Sequence, residues 1–422
     1  MKTLVTTIAA LFFLLFVLTT FVPYPAARAT ALNTGFTEEQ INTGLQYTFE
    51  RRFFQWTAIG LELGLLYVLA MTSLARRWAD RVLDWTGQRR IIAALGMGLI
   101  YVVLHEILYL PIGIARLYHA QYRGMSNLDL AGWLQDHALS FGINLLCEAI
   151  VLVGFYLLLI WLPRIWWMIA PFGAAALTVT YVLVAPILIN PLFNDFTPLS
   201  KTEWSNQQSR VQALIDKAGV PVEEILVMNA SRQSNHTNAY FTGFGPTRRI
   251  VIYDTLLKNH SDAEIESILA HELGHWLHDH IVKGILLGTL GLLLGCFLLD
   301  RVLRLALGRG PWHLRSIADP AGLPLILLLV YLGGWLAMPV GNAVSRRFER
   351  QADQVSLELA GQPEAFKATE KKMAIDNKSN VAPTPWNVWL FASHPPTVER
   401  IHLAEEWEQE HPDQGRGKRI NP

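Results

Sequence analysis

The chain has 422 residues, of which 51% are apolar and only 17% charged, with a mean hydropathy of +0.26. That balance is too apolar for an ordinary soluble domain and makes a multi-spanning membrane protein the starting expectation. A formal net charge of +0 provides no global basic field and argues against nucleic acid as a partner.

Seven apolar stretches approach the roughly 20 residues a helix needs to cross about 30 Å of hydrocarbon. In chain order they are 4–22, 56–74, 91–114, 143–162, 166–189, 281–299 and 321–340. Interfacial residues such as Arg76, Arg77, Arg164, Trp166, Trp167, Arg301 and Arg304 flank them. The first stretch, with Lys2 ahead of it and a small-residue site at 27–29, also fits a cleavable signal peptide. It is long for a signal core, so we take it as a membrane helix. Cys147 and Cys296 lie inside apolar stretches and read as small buried hydrophobes, neither a disulfide nor a metal pair. Glu62, His105, Glu106 and Glu148 also fall within these stretches, where charge is costly; they line a polar cavity or bond between helices.

The chain thus divides into a membrane region of five apolar segments (1–190), a first polar part (191–280), two further membrane helices (281–343) and a second polar part (344–422). In the first polar part, Val211, Leu214 and Ile215 give helical spacing to 204–218, whereas Glu224–Met228 and Arg249–Tyr253 have the character of short strands. Ser261 or Asp262 is suited to cap a helix running through His280, with Glu264 in its first turn. Two crossings separate the polar parts. An even number returns the chain to the side it left, so both parts share one membrane face.

The capped helix carries His271-Glu272-Leu273-Gly274-His275. Residues four apart share a helix face, so His271 and His275 can offer two nitrogens to one Zn²⁺ at about 2.0–2.1 Å. Glu272, beside them, can take a proton from water that the metal has made acidic. Chance alone produces this spacing in on the order of one chain in a hundred, so a third ligand is required for a catalytic site. Glu349 and Asp353, four apart in 345–353, can supply it: Glu349 as ligand, and Asp353 orienting a zinc histidine or sharing in proton transfer. In isolation this segment would be an ion-paired solvated helix. The even number of crossings brings it to the motif.

Together these residues resemble the type I CAAX prenyl protease family, multi-spanning zinc proteases of the gluzincin class. The resemblance runs through Pro191-Leu192-Phe193-Asn194, Phe196-Thr197-Pro198-Leu199, Ser234-Asn235-His236-Thr237-Asn238-Ala239-Tyr240-Phe241-Thr242-Gly243, His271 to Trp276, Glu349 to Asp353, and His394-Pro395-Pro396 with Arg400. It is tight over about residues 183–280 and 345–402 and architectural elsewhere. It implies a mainly α membrane protein of about seven helices enclosing a water-filled chamber, with an α+β zinc domain whose small sheet has an exposed edge. It also implies one Zn²⁺ held by His271, His275 and Glu349, with Glu272 and Asp353 catalytic, Asp353 as a proton donor or as a partner of a ligand. Asn238, Ala239 and Tyr240 would hold the substrate backbone by strand addition. His394 and Arg400 would contact the oxyanion or a substrate carboxylate. His236 stays a loop histidine.

The implied activity is hydrolysis of membrane-associated or prenylated polypeptides, or general membrane-protein quality control without prenyl dependence, in a bacterial inner membrane or a eukaryotic endomembrane. Counting Arg76, Arg77, Arg81, Arg89, Arg90, Arg164, Arg301, Arg304, Arg309 and Arg315 on one side makes the catalytic face extracytoplasmic. The family's eukaryotic members direct theirs to the cytosol. Two other classes compete. A metal transporter should cluster its ligands at the bilayer midplane, and a silent scaffold should have lost Glu272 or a ligand.

Overall fold

The computed structural model describes residues 2–22, 24–243 and 248–412, the side chains of 2–10 excepted. Among these residues seven helices are long and apolar enough to cross a membrane, and each of the seven predicted stretches overlaps one of them. The crossings begin with α1 (Lys2–Thr20) and, after the short α2 (Pro25–Asn33), continue with α3 (Glu38–Met71). Beyond α4 (Leu74–Trp85) come α5 (Arg90–Tyr122), α6 (Leu130–Trp161) and α7 (Trp166–Val184). The last two are α11 (His280–Ala306) and α12 (Leu323–Ala360).

At one end of the bundle α4 forms an amphipathic cap. Arg76 is buried and donates to Asp319 at 2.7 Å, and Arg315 pairs with Asp80 at 2.9 Å. Asp300, fully buried, accepts from Trp166 Nε1 at 2.8 Å and from Arg304 Nε at 2.8 Å. Several arginines counted as free loop charge are therefore partners of buried carboxylates that tie the cap together.

Three of the four polar intramembrane residues, Glu62, His105 and Glu106, bond between helices. Glu62, 2% exposed, accepts from Tyr101 at 2.5 Å and meets His105 at 2.9 Å, joining α3 to α5. Glu106 meets His137 at 2.6 Å, joining α5 to α6. Glu148 is exposed on α6. Both cysteines are free, and Cys147 is exposed rather than buried as expected, on a stretch of α6 where Leu146 and Glu148 are exposed too.

The opposite end carries an α+β unit built from both polar parts. Its sheet has the order β1 (Phe196–Pro198), β2 (Glu224–Met228), β4 (Arg249–Tyr253), β3 (Ala239–Thr242); β2 and β4 run parallel and the outer pairs antiparallel. The two predicted strands match β2 and β4. The predicted helix at 204–218 is regular only over α8 (Gln208–Ala218), its start being a 3₁₀ turn. Val211, Leu214 and Ile215 of α8 pack with Ile250, Ile252, Ile268 and Leu269 in one core.

After α9 (Asp254–Asn259) comes the motif helix, α10 (Asp262–Leu277), which starts with a full capping box: Glu264 N–H donates to Ser261 Oγ, and Ser261 N–H to the Glu264 side chain. It stops sooner than predicted. Asp279 takes a left-handed φ of 53° and His280 opens α11, so the chain turns sharply between motif and membrane. By contrast α12 does not stop at the bilayer. Its 38 residues run without a break through the boundary expected at 343/344 and carry Glu349 and Asp353 straight out of the membrane into the polar unit.

Three shorter helices finish the unit, α13 (Pro363–Asp376), α14 (Pro385–Phe391) and α15 (Thr397–Glu410). The membrane part is docked onto it at several points. In the loop between α5 and α6, Asn127 bonds Ser231 O at 2.8 Å and the Asn235 side chain at 2.9 Å. Arg232 reaches Asp136 of α6 at 3.0 Å.

Candidate metal centre and catalytic site

α10 and α12 cross at small residues. Ser356 Oγ donates to Ser267 O at 2.7 Å, and Gly274 lies so close to Ala352 that a Cβ at 274 would sit 2.8 Å from the Ala352 Cα. The glycine inside the motif is thus what lets the two helices touch. Gly274→Ala is expected to force them apart at a cost of about 1–3 kcal/mol. Gly60→Ala, where nothing lies within 4 Å, should be neutral or mildly stabilising. Thermal unfolding of both variants checks this, and equal midpoints would sink it.

The close crossing brings His271, His275 and Glu349 together, their ligand atoms all lying within 4.8 Å of one another. The two Nε2 atoms are 3.1 Å apart; His271 Nε2 lies 3.3 Å from one Glu349 oxygen and His275 Nε2 3.6 Å from the other. Zinc bonds of about 2.0–2.1 Å at tetrahedral angles put neighbouring ligand atoms roughly 3.3 Å apart, so the spacing fits such an ion. The chemistry of the cluster fits as well. Glu349 is 6% exposed, and its Oε2 accepts no hydrogen bond among the described residues, although two imidazoles face it. A buried anionic oxygen in that condition calls for a cation.

Burial depresses the His275 imidazole to about 4. It acts on His271 too, but there Asp353 and Glu349 overcome it and raise the ring to about 10. Burial pushes the Glu272 carboxyl up to about 7, with Glu349 adding to the shift and His271 opposing it. Glu272 also has a hydrogen bond from the Phe241 backbone, so the motif helix and β3 touch at this carboxyl. Phe241 packs on Trp276 of the same helix at 4.9 Å between ring centres.

β3 is the end strand of the sheet. Asn238, at its entrance, is exposed and gives its carbonyl to Tyr253 N–H at 3.1 Å; Ala239 is buried and Tyr240 half-buried. His236 bonds Asn377 at 2.8 Å. His394 stands at the open side of the cluster, its Nε2 3.3 Å from Glu349 Oε2 and its Nδ1 2.9 Å from Ser393 Oγ. Although His394 is exposed, desolvation beside the cluster holds its pKa below the usual histidine range, with the Glu349 carboxylate opposing.

Asp353 is fully buried and faces His271 Nδ1 at 2.8 Å. Arg400, expected to contact the oxyanion or a substrate carboxylate, lies behind this pair: its Nε donates to Asp353 at 2.8 Å and its Nη1 to Glu370 at 2.7 Å. Burial works against its charge, and the Glu370 and Asp353 carboxylates more than restore it. Three partners went unnoticed in the sequence. Glu370 gave no sign in a helix without a motif; His280, facing His275, and Gln351, facing His280, are close enough to the motifs that helical geometry could have suggested them.

Comparison with known proteins agrees with this architecture. Residues 202–408 match peptidase family M48, and residues 26–195 match the CAAX prenyl protease N-terminal region of five membrane helices. An uncharacterized metalloprotease of Bacillus subtilis, YhfN, is 31% identical over 376 residues, covering 87% of this chain and 86% of that protein. A rice CAAX prenyl protease 1 homolog is 33% identical over 244 residues, covering 55% of this chain and 54% of the relative, about half of each. The crystal structure of Ste24p from S. mikatae superposes with a TM-score of 0.80 at 21% identity, covering 94% of this chain and 97% of that one, and shares the fold. The chain belongs to peptidase family M48 and is a multi-pass membrane metalloprotease.

Proposed function

We propose that the chain is a zinc endopeptidase that cuts polypeptides presented at the membrane, with one Zn²⁺ held by His271, His275 and Glu349. The observation that carries this reading is the three-ligand cluster with Glu272 beside it and the end strand β3 alongside. The polar parts 191–280 and 344–422 act as one catalytic domain, each supplying ligands. The zinc, when bound, supplies Lewis acidity toward water and the scissile carbonyl.

Glu272 accepts a proton from the attacking water on a carboxylate oxygen and delivers it to the leaving amine nitrogen. A carboxyl that burial has moved toward neutrality suits both steps. The substrate backbone adds to the free edge of β3 near Asn238, Ala239 and Tyr240, which brings main-chain affinity with little side-chain demand. His394, with Ser393 Oγ able to donate to its Nδ1, directs Nε2–H toward the developing oxyanion. Asp353 holds His271 in the Nδ1–H form and so leaves Nε2 for the metal.

For the substrate we favour prenylated or otherwise membrane-anchored C-terminal segments, the rice relative being named a CAAX prenyl protease homolog. A broader role on membrane proteins is the second reading. It is favoured by the Bacillus relative, which covers most of the chain and is named only as a metalloprotease. The test uses detergent-purified wild type and Glu272→Gln, with zinc quantified in both and cleavage followed on one CAAX peptide with and without its farnesyl group. One zinc in each protein is expected, with cleavage about 10²–10⁴-fold slower in the variant. Equal cleavage by both, or no zinc in either, would overturn the proposal. Preference for the farnesylated peptide supports the first substrate class, and indifference the second.

A further inference from the structure

Both metal-facing histidines turn Nε2 toward Glu349, so each must carry its ring proton on Nδ1 to leave the Nε2 lone pair free. For His271 the acceptor of that proton is Asp353. For His275 the atom facing Nδ1 is another imidazole nitrogen, Nδ1 of His280, at 2.9 Å. Two imidazole nitrogens facing each other can share one proton only. If His275 donates, His280 Nδ1 accepts, and the His280 proton must then sit on Nε2. At that position Gln351 Oε1 waits at 3.0 Å as the acceptor.

The three side chains therefore form a relay with one consistent direction, from His275 through His280 to Gln351. Its middle member is held in place by packing. His280 is 6% exposed and its ring stacks on Phe348 at 4.3 Å and 10°. Its position follows from the sharp turn at Asp279, since an α10 continuing straight would carry His280 around to a different face.

We propose that His280, backed by Gln351, is the positioning residue that locks His275 in its metal-binding tautomer. The two zinc histidines are then supported unequally. A carboxylate partner makes His271 the more basic ligand, whereas the imidazole–amide relay orients His275 without adding a second carboxylate behind a cluster that already contains Glu349. This inference rests on the zinc site proposed above.

The experiment measures zinc affinity by chelator competition on metal-stripped, full-length protein in detergent, with the metal-free unfolding midpoint as a control. His280→Phe keeps the ring stack and removes the acceptor, and should weaken zinc by about 10–100-fold while leaving the metal-free midpoint near wild type. His280→Asn places a carbonyl oxygen close to the lost Nδ1 and should return affinity to within about threefold of wild type. Gln351→Glu should retain or tighten binding, and Gln351→Met should weaken it by about three- to tenfold.

Wild-type affinity in His280→Phe would overturn the proposal. So would a Gln351→Glu variant as weak as Gln351→Met, because Gln351 would then be the donor. His275→Ala separates the two levels of argument. If it loses zinc while His280→Phe does not, only the relay falls; if it retains zinc, the metal site falls with it.

Discussion

Replacing Arg400 with methionine should cost the folded protein about 3–5 kcal/mol and weaken zinc binding by about one to two orders of magnitude, although Arg400 touches no metal ligand atom directed at the cluster. Its guanidinium lies between two buried carboxylates, Asp353 at 0% and Glu370 at 7% exposure. Methionine fills much of the volume and neutralises neither. Asp353 would then share its charge with His271 alone, and Glu370, whose carboxyl burial already pushes up to about 7, would lose the cation that favours its ionised form.

The two losses are separable. Stability should drop because two buried carboxyls lose their cation, whereas zinc affinity should drop because Asp353 no longer holds a fixed position under His271 Nδ1. Adding Glu370→Gln to Arg400→Met should recover part of the stability by removing one unpaired carboxyl, a coupling that a double-mutant cycle measures directly. If Arg400 instead met a substrate carboxylate, the single variant would raise KM and leave both stability and zinc affinity near wild type. That outcome would return Arg400 to the substrate-contact role that the family resemblance implies.

Much of this arrangement was legible in the sequence because it depends on short-range pattern. Lipid-length apolar runs identify all seven spans, and i to i+4 spacing pairs His271 with His275 and Glu349 with Asp353. β2 and β4 declare themselves through runs of Ile and Val. What was not legible depends on distant partners. The continuity of α12 is one case: a fall in hydropathy near 343 looks like the end of an element, yet no backbone feature there stops the helix, and Gly361, in a left-handed conformation, does.

The arginines of the cap are another case. Arg76 finds Asp319, 243 residues away, and no local spacing announces that pairing. Without its partner the residue is counted as positive loop charge, so the sidedness read from arginines mixes orientation with ion pairing. Glu370 escaped for the same reason, since its only distinguishing property is the guanidinium it meets from α15.

Glu349→Gln should produce a different kind of failure from the loss of the general base. Zinc in four-ligand structural sites is worth about 10–16 kcal/mol, so one ligand of such a set accounts for roughly 3 kcal/mol, or about 100-fold in affinity. The substituted amide would keep the shape of a side chain that is 6% exposed and retain one carbonyl oxygen, but without the charge that draws a cation to that oxygen. The variant should purify with little zinc and recover part of its activity when zinc is added. Glu272→Gln should hold zinc fully and recover nothing.

His394→Ala makes the third comparison. It should keep zinc and lose about 10²–10³-fold in kcat, the loss typical of one oxyanion donor. If Glu349→Gln bound zinc as tightly as wild type, the third ligand would have to come from elsewhere. His394, whose Nε2 lies 3.3 Å from Glu349 Oε2, would be the first residue to examine, and His394→Ala would then be the variant that loses the metal.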